Sequence, residues 1–216
     1  MMVWIDLEMT GLDLSKDALI EIAVLVTDGH LNVQDDGLDL LIPPSPEALD
    51  AMGDFVRKMH TDSGLLDELA RATLTMAQAE QQVLDYIKQY VPLPRKAPLA
   101  GNSIGTDRSF LARDMPLLEG HLHYRNVDVS TVKELARRWF PKAYYAAPAK
   151  HGNHRALADI QESIEELRYY REAVFVPLPG PSTGESRIIA GKHEGALTGL
   201  GDAAQAFEGS DEASES

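Results

Sequence analysis

The spacing of apolar positions changes period along the chain, and each change marks an element. Val3-Trp4-Ile5 is a short apolar run leading into Asp6 and a turn at Gly11, which predicts a buried strand. Ala18–Thr27 and Leu31–Ile42 are β-rich runs separated by Asp28-Gly29, a hairpin signal, so the first three strands form an antiparallel meander. A proline-rich break at Pro43–Pro46 ends that pattern. Helical spacing then covers Glu47–Lys58 and Met76–Val91. Pro98–Gly101 predicts a fourth strand feeding a helix at Asp107–Asp114. Tyr124–Val129 predicts a fifth feeding a helix at Thr131–Phe140, with Ser130 as its N-cap. A last helix over Arg155–Glu172 carries the stripe Leu157, Ile160, Ile164 and Leu167. Strands first and then alternation with helices imply an α/β fold, a mixed five-stranded sheet flanked by helices.

Composition narrows the function classes. The chain has 216 residues and no cysteine, which excludes disulfides, thiolate metal sites and a cysteine nucleophile. Its longest apolar stretch, Ala18 to Val26, is interrupted by Glu21 and is too short to cross a bilayer. The N-terminus lacks the basic and small-residue features of a signal peptide, so a cytoplasmic protein is expected. The net charge of −14 speaks against wrapping long nucleic acid on a basic surface, yet allows a small anionic substrate held through metal ions. From Pro177 onward seven acids face only Arg187 and Lys192, so that stretch carries −5 of the total. It is also rich in Gly, Ser and Pro. Residues 177–216 therefore read as a largely disordered acidic tail, with at most a weak helix near Asp202–Phe207, behind a folded domain of residues 1–176.

Three clusters carry candidate chemistry. Asp6 and Glu8 stand two apart in the first strand and so share a face. Two such carboxylates repel unless a cation bridges them or one takes a proton. The flanking Trp4, Ile5 and Leu7 argue that the pair is buried rather than solvated. Asp107 follows GNSIGT, where it either caps the next helix or joins the acids; Asn102 and Ser103 at that junction could donate to a phosphate. His154 and Asp159 are five apart, about 140° on a helix, and converge only if His154 sits in the entry turn. Otherwise His154 is a loop residue and Asp159 a surface one.

Taken in order, Asp6-x-Glu8, the N-S-x-x-x-D ending at Asp107, and the H-x-A-x-x-D from His154 to Asp159 resemble the DEDDh family of 3′→5′ exonucleases. WIDLEMTGLD, MHTDSGL, GNSIGTDRSFL and HYRNVDVSTVKELARRW resemble the branch acting on very short RNA, and the likeness runs from Val3 to Arg171. The resemblance implies a ribonuclease H-like fold and two divalent cations, Mg²⁺ or Mn²⁺, on Asp6, Glu8, Asp107 and Asp159. It implies His154 as general base, with nucleoside 5′-monophosphates released from short oligoribonucleotides, 5′-phosphorylated dinucleotides above all. It also implies Leu12 and Phe55 against the bases, and His60, Ser103, Arg125 and Ser130 around the 5′-phosphate. Tyr124 and Arg125 would come from the second subunit of a homodimer. Two departures stand out: Phe55 replaces the family's usual tryptophan, and GNHRALADI replaces GTHQAMDDI. The competing expectations are a DEDDh exonuclease acting on longer DNA or tRNA ends and a non-catalytic nucleotide-binding homologue. Without the resemblance, Leu12, Phe55 and Tyr124 read as ordinary core.

Overall fold

In the computed structural model of the chain, which describes residues 1–149 and 155–193, the N-terminal apolar run extends into a strand over Met2–Met9 (β1). It pairs antiparallel with Leu19–Thr27 (β2), which pairs antiparallel with Leu38–Leu41 (β3). Helices Pro46–Asp50 (α1), Asp54–Asp62 (α2), Leu65–Leu69 (α3) and Met76–Tyr90 (α4) follow. Pro98–Gly101 (β4) lies parallel to β1 and leads into Gly105–Asp114 (α5) and Pro116–His121 (α6). His123–Asp128 (β5) lies parallel to β4 and passes into Val129–Trp139 (α7), Pro141–Tyr145 (α8) and then Ala156–Ala173 (α9). The sheet order is β3-β2-β1-β4-β5, mixed and five-stranded, with its first three strands antiparallel as the periodicity predicts.

Both faces of the central strands are covered, which explains why they read as continuous apolar runs. On one face Val3, Ile5 and Leu7 pack with Val83 and Ile87 of α4 and with Phe110 and Leu111 of α5. On the other, Trp4 packs with Ala23, Leu25 and the Ala156, Ile160 and Ile164 stripe of α9. Side chains alternate along a strand, so Asp6 and Glu8 share the Trp4 face and look toward α9. The fold thereby decides which helix can answer the first acidic pair.

Several elements differ from the sequence reading, each for a local reason. The third strand is confined to Leu38–Leu41 rather than running from Leu31. Asp28 Oδ1 accepts the His30 and Asn32 amides, Leu31 takes a left-handed φ of 71°, and Asp35 is held by the Tyr86 and Tyr90 hydroxyls at 2.5 and 2.6 Å. That segment is a side-chain-tethered loop whose ladder contribution is one bridge, Thr27 to Val33. The helix expected at 47–58 breaks into α1 and α2 around Gly53, which caps α2 in extended backbone. The cap of α7 is Asp128 instead of Ser130: its carboxylate accepts the Ser130 amide at 2.9 Å and the Ser130 hydroxyl at 2.5 Å. A carboxylate oxygen two residues earlier outcompetes the serine hydroxyl for the open helix end.

The chain divides into two compact units, Met1–Val174 and Phe175–Ser216. In the second, Thr183–Gly191 (α10) is a helix the composition did not announce. Its signal is a local capping box, in which the Ser182 hydroxyl takes the Glu185 amide and the Glu185 carboxylate takes the Ser182 amide at 2.8 Å. The helix expected at Asp202–Phe207 lies outside the described residues. Among the described residues no helix is long and apolar enough to cross a membrane.

Candidate active site

The site is built at the carboxyl ends of the parallel strands β1 and β4, where open α/β sheets place their ligands. Asp6 and Glu8 project from β1, and Asp159 sits in the first turn of α9 directly over them. One carboxylate oxygen from each of the three lies within 4.8 Å of the others. Asp107 enters from the first turn of α5 and is buried; its Oδ1 accepts the amide of Leu7, the residue between the first two acids, at 3.2 Å. The capping alternative for Asp107 is thus not its tertiary contact: its carboxylate reaches across to β1. His154 lies outside the described residues.

Crowding acids in a partly buried place raises the proton affinity of Asp6, Glu8 and Asp107. Asp6 is pushed well above the usual carboxylate range, first by burial and then by the charges of Asp107, Asp159, Glu8 and Glu21. Glu8 is raised to about 8, by burial first and then by Glu21, Asp159 and Asp107. Burial lifts Asp107 to about 6, although the Leu7 amide works against the rise. All-oxygen donors of this density suit hard divalent cations, which would supply the missing positive charge. A testable sign follows. Carboxyls with raised folded pKa values stabilise the fold below their unfolded values, near 4, and that stability is lost as pH climbs through about 6 to 8. The metal-free protein should therefore melt lower at pH 8 than at pH 5.5. Mn²⁺ binding at pH 7 should release protons, measured by calorimetry in buffers of different ionisation enthalpy. Proton-neutral binding would count against a cation on these four groups.

The remaining candidates fall into four groups. Leu12 and Phe55 are 74% and 81% exposed, so neither is core. Leu12 rides a loop braced by Asp17, whose carboxylate accepts the Asp13 amide at 2.8 Å, and by Arg113, which donates to the carbonyls of Leu14 and Asp17. A Cβ at Gly11 would meet Asp17 Oδ2 at 2.3 Å, so a side chain there would displace the carboxylate that braces the loop. Ser103 and Ser130 are brought together: the Ser103 amide donates to Ser130 Oγ and to Asp128 Oδ1, both at 3.1 Å, with Ser103 at a left-handed φ of 52°. Tyr124 and Arg125 stand exposed on the edge strand β5, with the guanidinium 5.5 Å from the Tyr124 ring centroid. His60 has no exposed surface; its Nε2 donates to the Met9 carbonyl at 2.9 Å and its Nδ1 lies 3.9 Å from Glu8 Oε2. That places His60 next to Glu8 of the acidic pair.

Two residues next to the site escaped the sequence reading. Glu21 is fully buried on β2 and sits opposite Glu8 in the ladder. Arg155, just ahead of α9, binds it. The available signal was an acid inside an otherwise unbroken apolar strand, which demands a partner.

A mixed sheet that gathers four acids from one strand end and two helix starts places the chain in a definite class. The RNase T family model, whose members are exonucleases, matches residues 3–167, and the chain belongs to that family. Within it the chain is 67% identical to an oligoribonuclease of Cutibacterium acnes over 93% of its own length and 99% of that protein's. It is 66% identical to an oligoribonuclease of Streptomyces avermitilis over 89% and 96%. Among solved structures, exonuclease I of E. coli bound to a dA16 oligonucleotide matches with a TM-score of 0.60 at 15% identity. That likeness covers 80% of this chain but 41% of that one, and it shows the fold alone.

Proposed function

We propose that the chain is a 3′→5′ exoribonuclease that degrades very short oligoribonucleotides, dinucleotides especially, to nucleoside 5′-monophosphates. The observation that carries this reading is the convergence of Asp6, Glu8 and Asp159 within 4.8 Å in a chain so similar to oligoribonucleases. Asp6, Glu8, Asp107 and Asp159 would hold two Mg²⁺ or Mn²⁺ ions. Such ions supply Lewis-acid neutralisation of the scissile phosphate and of the oxygens entering and leaving it. His154 takes the proton of the attacking water at a ring nitrogen, and the 3′-oxygen of the preceding nucleotide departs. The hydroxyls of Ser103 and Ser130 bind the 5′-phosphate from the end of β4 and the start of α7.

Leu12 and Phe55 hold the two bases from either side, and their exposure on braced elements supports that role. Stacking on an aromatic ring is worth about 1–3 kcal/mol per base. Phe55→Ala should therefore raise KM for a dinucleotide roughly 5- to 150-fold with little change in melting temperature. A KM within twofold of the parent would remove Phe55 from the site. Tyr124 and Arg125 belong to a homodimer interface in this reading. Its support is the open edge of β5, together with Tyr124, Trp139 and Tyr145 at 74%, 65% and 81% exposure.

Residues 1–176 are proposed to be the whole catalytic domain. Truncation after Val176 should leave dinucleotide kinetics and the melting temperature nearly unchanged, and a large loss in either would overturn that boundary. The reading as a whole is tested by a length series of 5′-phosphorylated oligoribonucleotides with Mg²⁺, from two to twenty nucleotides. Hydrolysis should be fastest on the dinucleotide. Equal or faster attack on the 20-mer would favour an exonuclease of longer ends.

A further inference from the structure

Arg155 joins two metal-ligand candidates without being one. As the N-cap residue of α9 it offers its carbonyl to the Asp159 amide at 3.0 Å. Its guanidinium donates through Nε to Glu21 Oε1 at 3.0 Å and through Nη1 and Nη2 to both oxygens of Glu68 at 2.8 and 2.9 Å. Asp39 Oδ2 lies 3.9 Å away. Glu21 Oε2 also faces the Ala156 amide at 3.5 Å. Glu21 in turn is fully buried and is the ladder partner of Glu8. The chain of contacts thus runs from Glu8 across the ladder to Glu21, through Arg155, and back along α9 to Asp159. Its two ends belong to the acidic cluster and its two middle members do not.

A buried ion pair is a weak way to gain stability, since apolar residues of equal volume often do as well. A guanidinium fork, however, fixes distance and angle in a way that a packed methyl group or a lysine ammonium does not. Here the fork spans β2, β3, α3 and the first turn of α9.

We propose that Arg155, acting through Glu21 and Glu68, is a positioning residue that sets Asp159 of α9 against Glu8 of β1 for cation binding. The proposal rests on the metal-site reading given above.

Charge and geometry make opposite demands, which makes the test sharp. Arg155 is a cation beside a cation site, so by charge alone its removal would tighten Mn²⁺ binding. Arg155→Lys keeps the charge and loses the fork, and by charge alone would change nothing. Positioning requires that both Arg155→Lys and Arg155→Gln weaken binding. Glu68→Gln, at a half-exposed residue, should do the same to a smaller degree while folding normally. Glu21→Gln keeps an oxygen for Nε and should change Mn²⁺ affinity less than Arg155→Lys does.

The measurement is Mn²⁺ affinity by electron paramagnetic resonance, with melting temperature in chelator and dinucleotide kinetics alongside. The expected result is a roughly tenfold higher Kd for Mn²⁺ in Arg155→Lys. Its kcat should fall and recover with excess Mn²⁺, with KM for the dinucleotide within twofold. An unchanged Kd with only a lower melting temperature would make Arg155 a purely structural residue and overturn the proposal. So would tighter binding in Arg155→Gln. If the parent protein binds no Mn²⁺, the metal-site reading itself falls and this proposal with it.

Discussion

Asp6→Asn is expected to stabilise the metal-free protein while abolishing its turnover. In the folded chain Asp6 is surrounded by Asp107, Asp159, Glu8 and Glu21, and burial and those charges hold its proton affinity far above that of an unfolded aspartate. Ionising it therefore costs folding free energy at every pH above its unfolded pKa, and the cost grows as pH rises. Asparagine has the same shape and no charge to desolvate, so the gain in melting temperature in chelator should be larger at pH 8 than at pH 5.5. The same substitution removes one oxyanion from the cation site. Activity on a dinucleotide should fall by at least on the order of 10²–10³-fold, the scale of losing one preorganised electrostatic group. The rise in melting temperature that Mn²⁺ gives the parent should shrink or vanish. Asp107→Asn is the companion case, because an asparagine oxygen can still accept the Leu7 amide and preserve the strand contact. If Asp6→Asn melts below the parent in chelator at pH 8, the repulsion that implies a cation is not there.

The parts of this site legible in the sequence were those whose chemistry and spacing are local. Asp6 and Glu8 share a face because alternation in a strand is geometric, and the apolar residues around them announced their burial. The sheet and its order of strands and helices followed from long periodic runs such as Leu19–Thr27 and Met76–Tyr90. Contacts between residues far apart in the chain were hidden. Glu21 interrupts β2, but nothing near it in sequence names Arg155, 134 positions on, as its partner. Asp35 delays the start of the third strand through two tyrosines on α4, which no turn propensity encodes. His60 hydrogen-bonds Met9 and approaches Glu8, contacts 51 and 52 positions away along the chain that no local pattern announces. Exposure was the opposite surprise: Leu12, Phe55 and Tyr124 are apolar residues that read as core, and only the fold shows them facing water.

His154→Ala and Arg125→Ala are each expected to be poor enzymes on a 5′-phosphorylated dinucleotide, and mixing them should restore activity that neither has. In the proposed homodimer each site takes His154 from one chain and Arg125 from the other. Arg125 stands exposed on the open edge strand β5, where a second sheet can meet it, and its backbone is ordered by the neighbouring His123 side chain at 3.1 Å. Refolding equal amounts together makes about half the dimers mixed by random pairing. In each mixed dimer one site draws His154 from the Arg125→Ala chain and Arg125 from the His154→Ala chain, and is built wholly of intact residues. The other site carries both defects. Roughly a quarter of the parent activity should therefore return, with KM for the dinucleotide equal to the parent's because the active sites are intact ones. Should Arg125 serve its own chain's site, every site in every mixed dimer would lack one of the two residues. Activity would then be the mean of the two variants, and the shared-site interface on β5 would be abandoned.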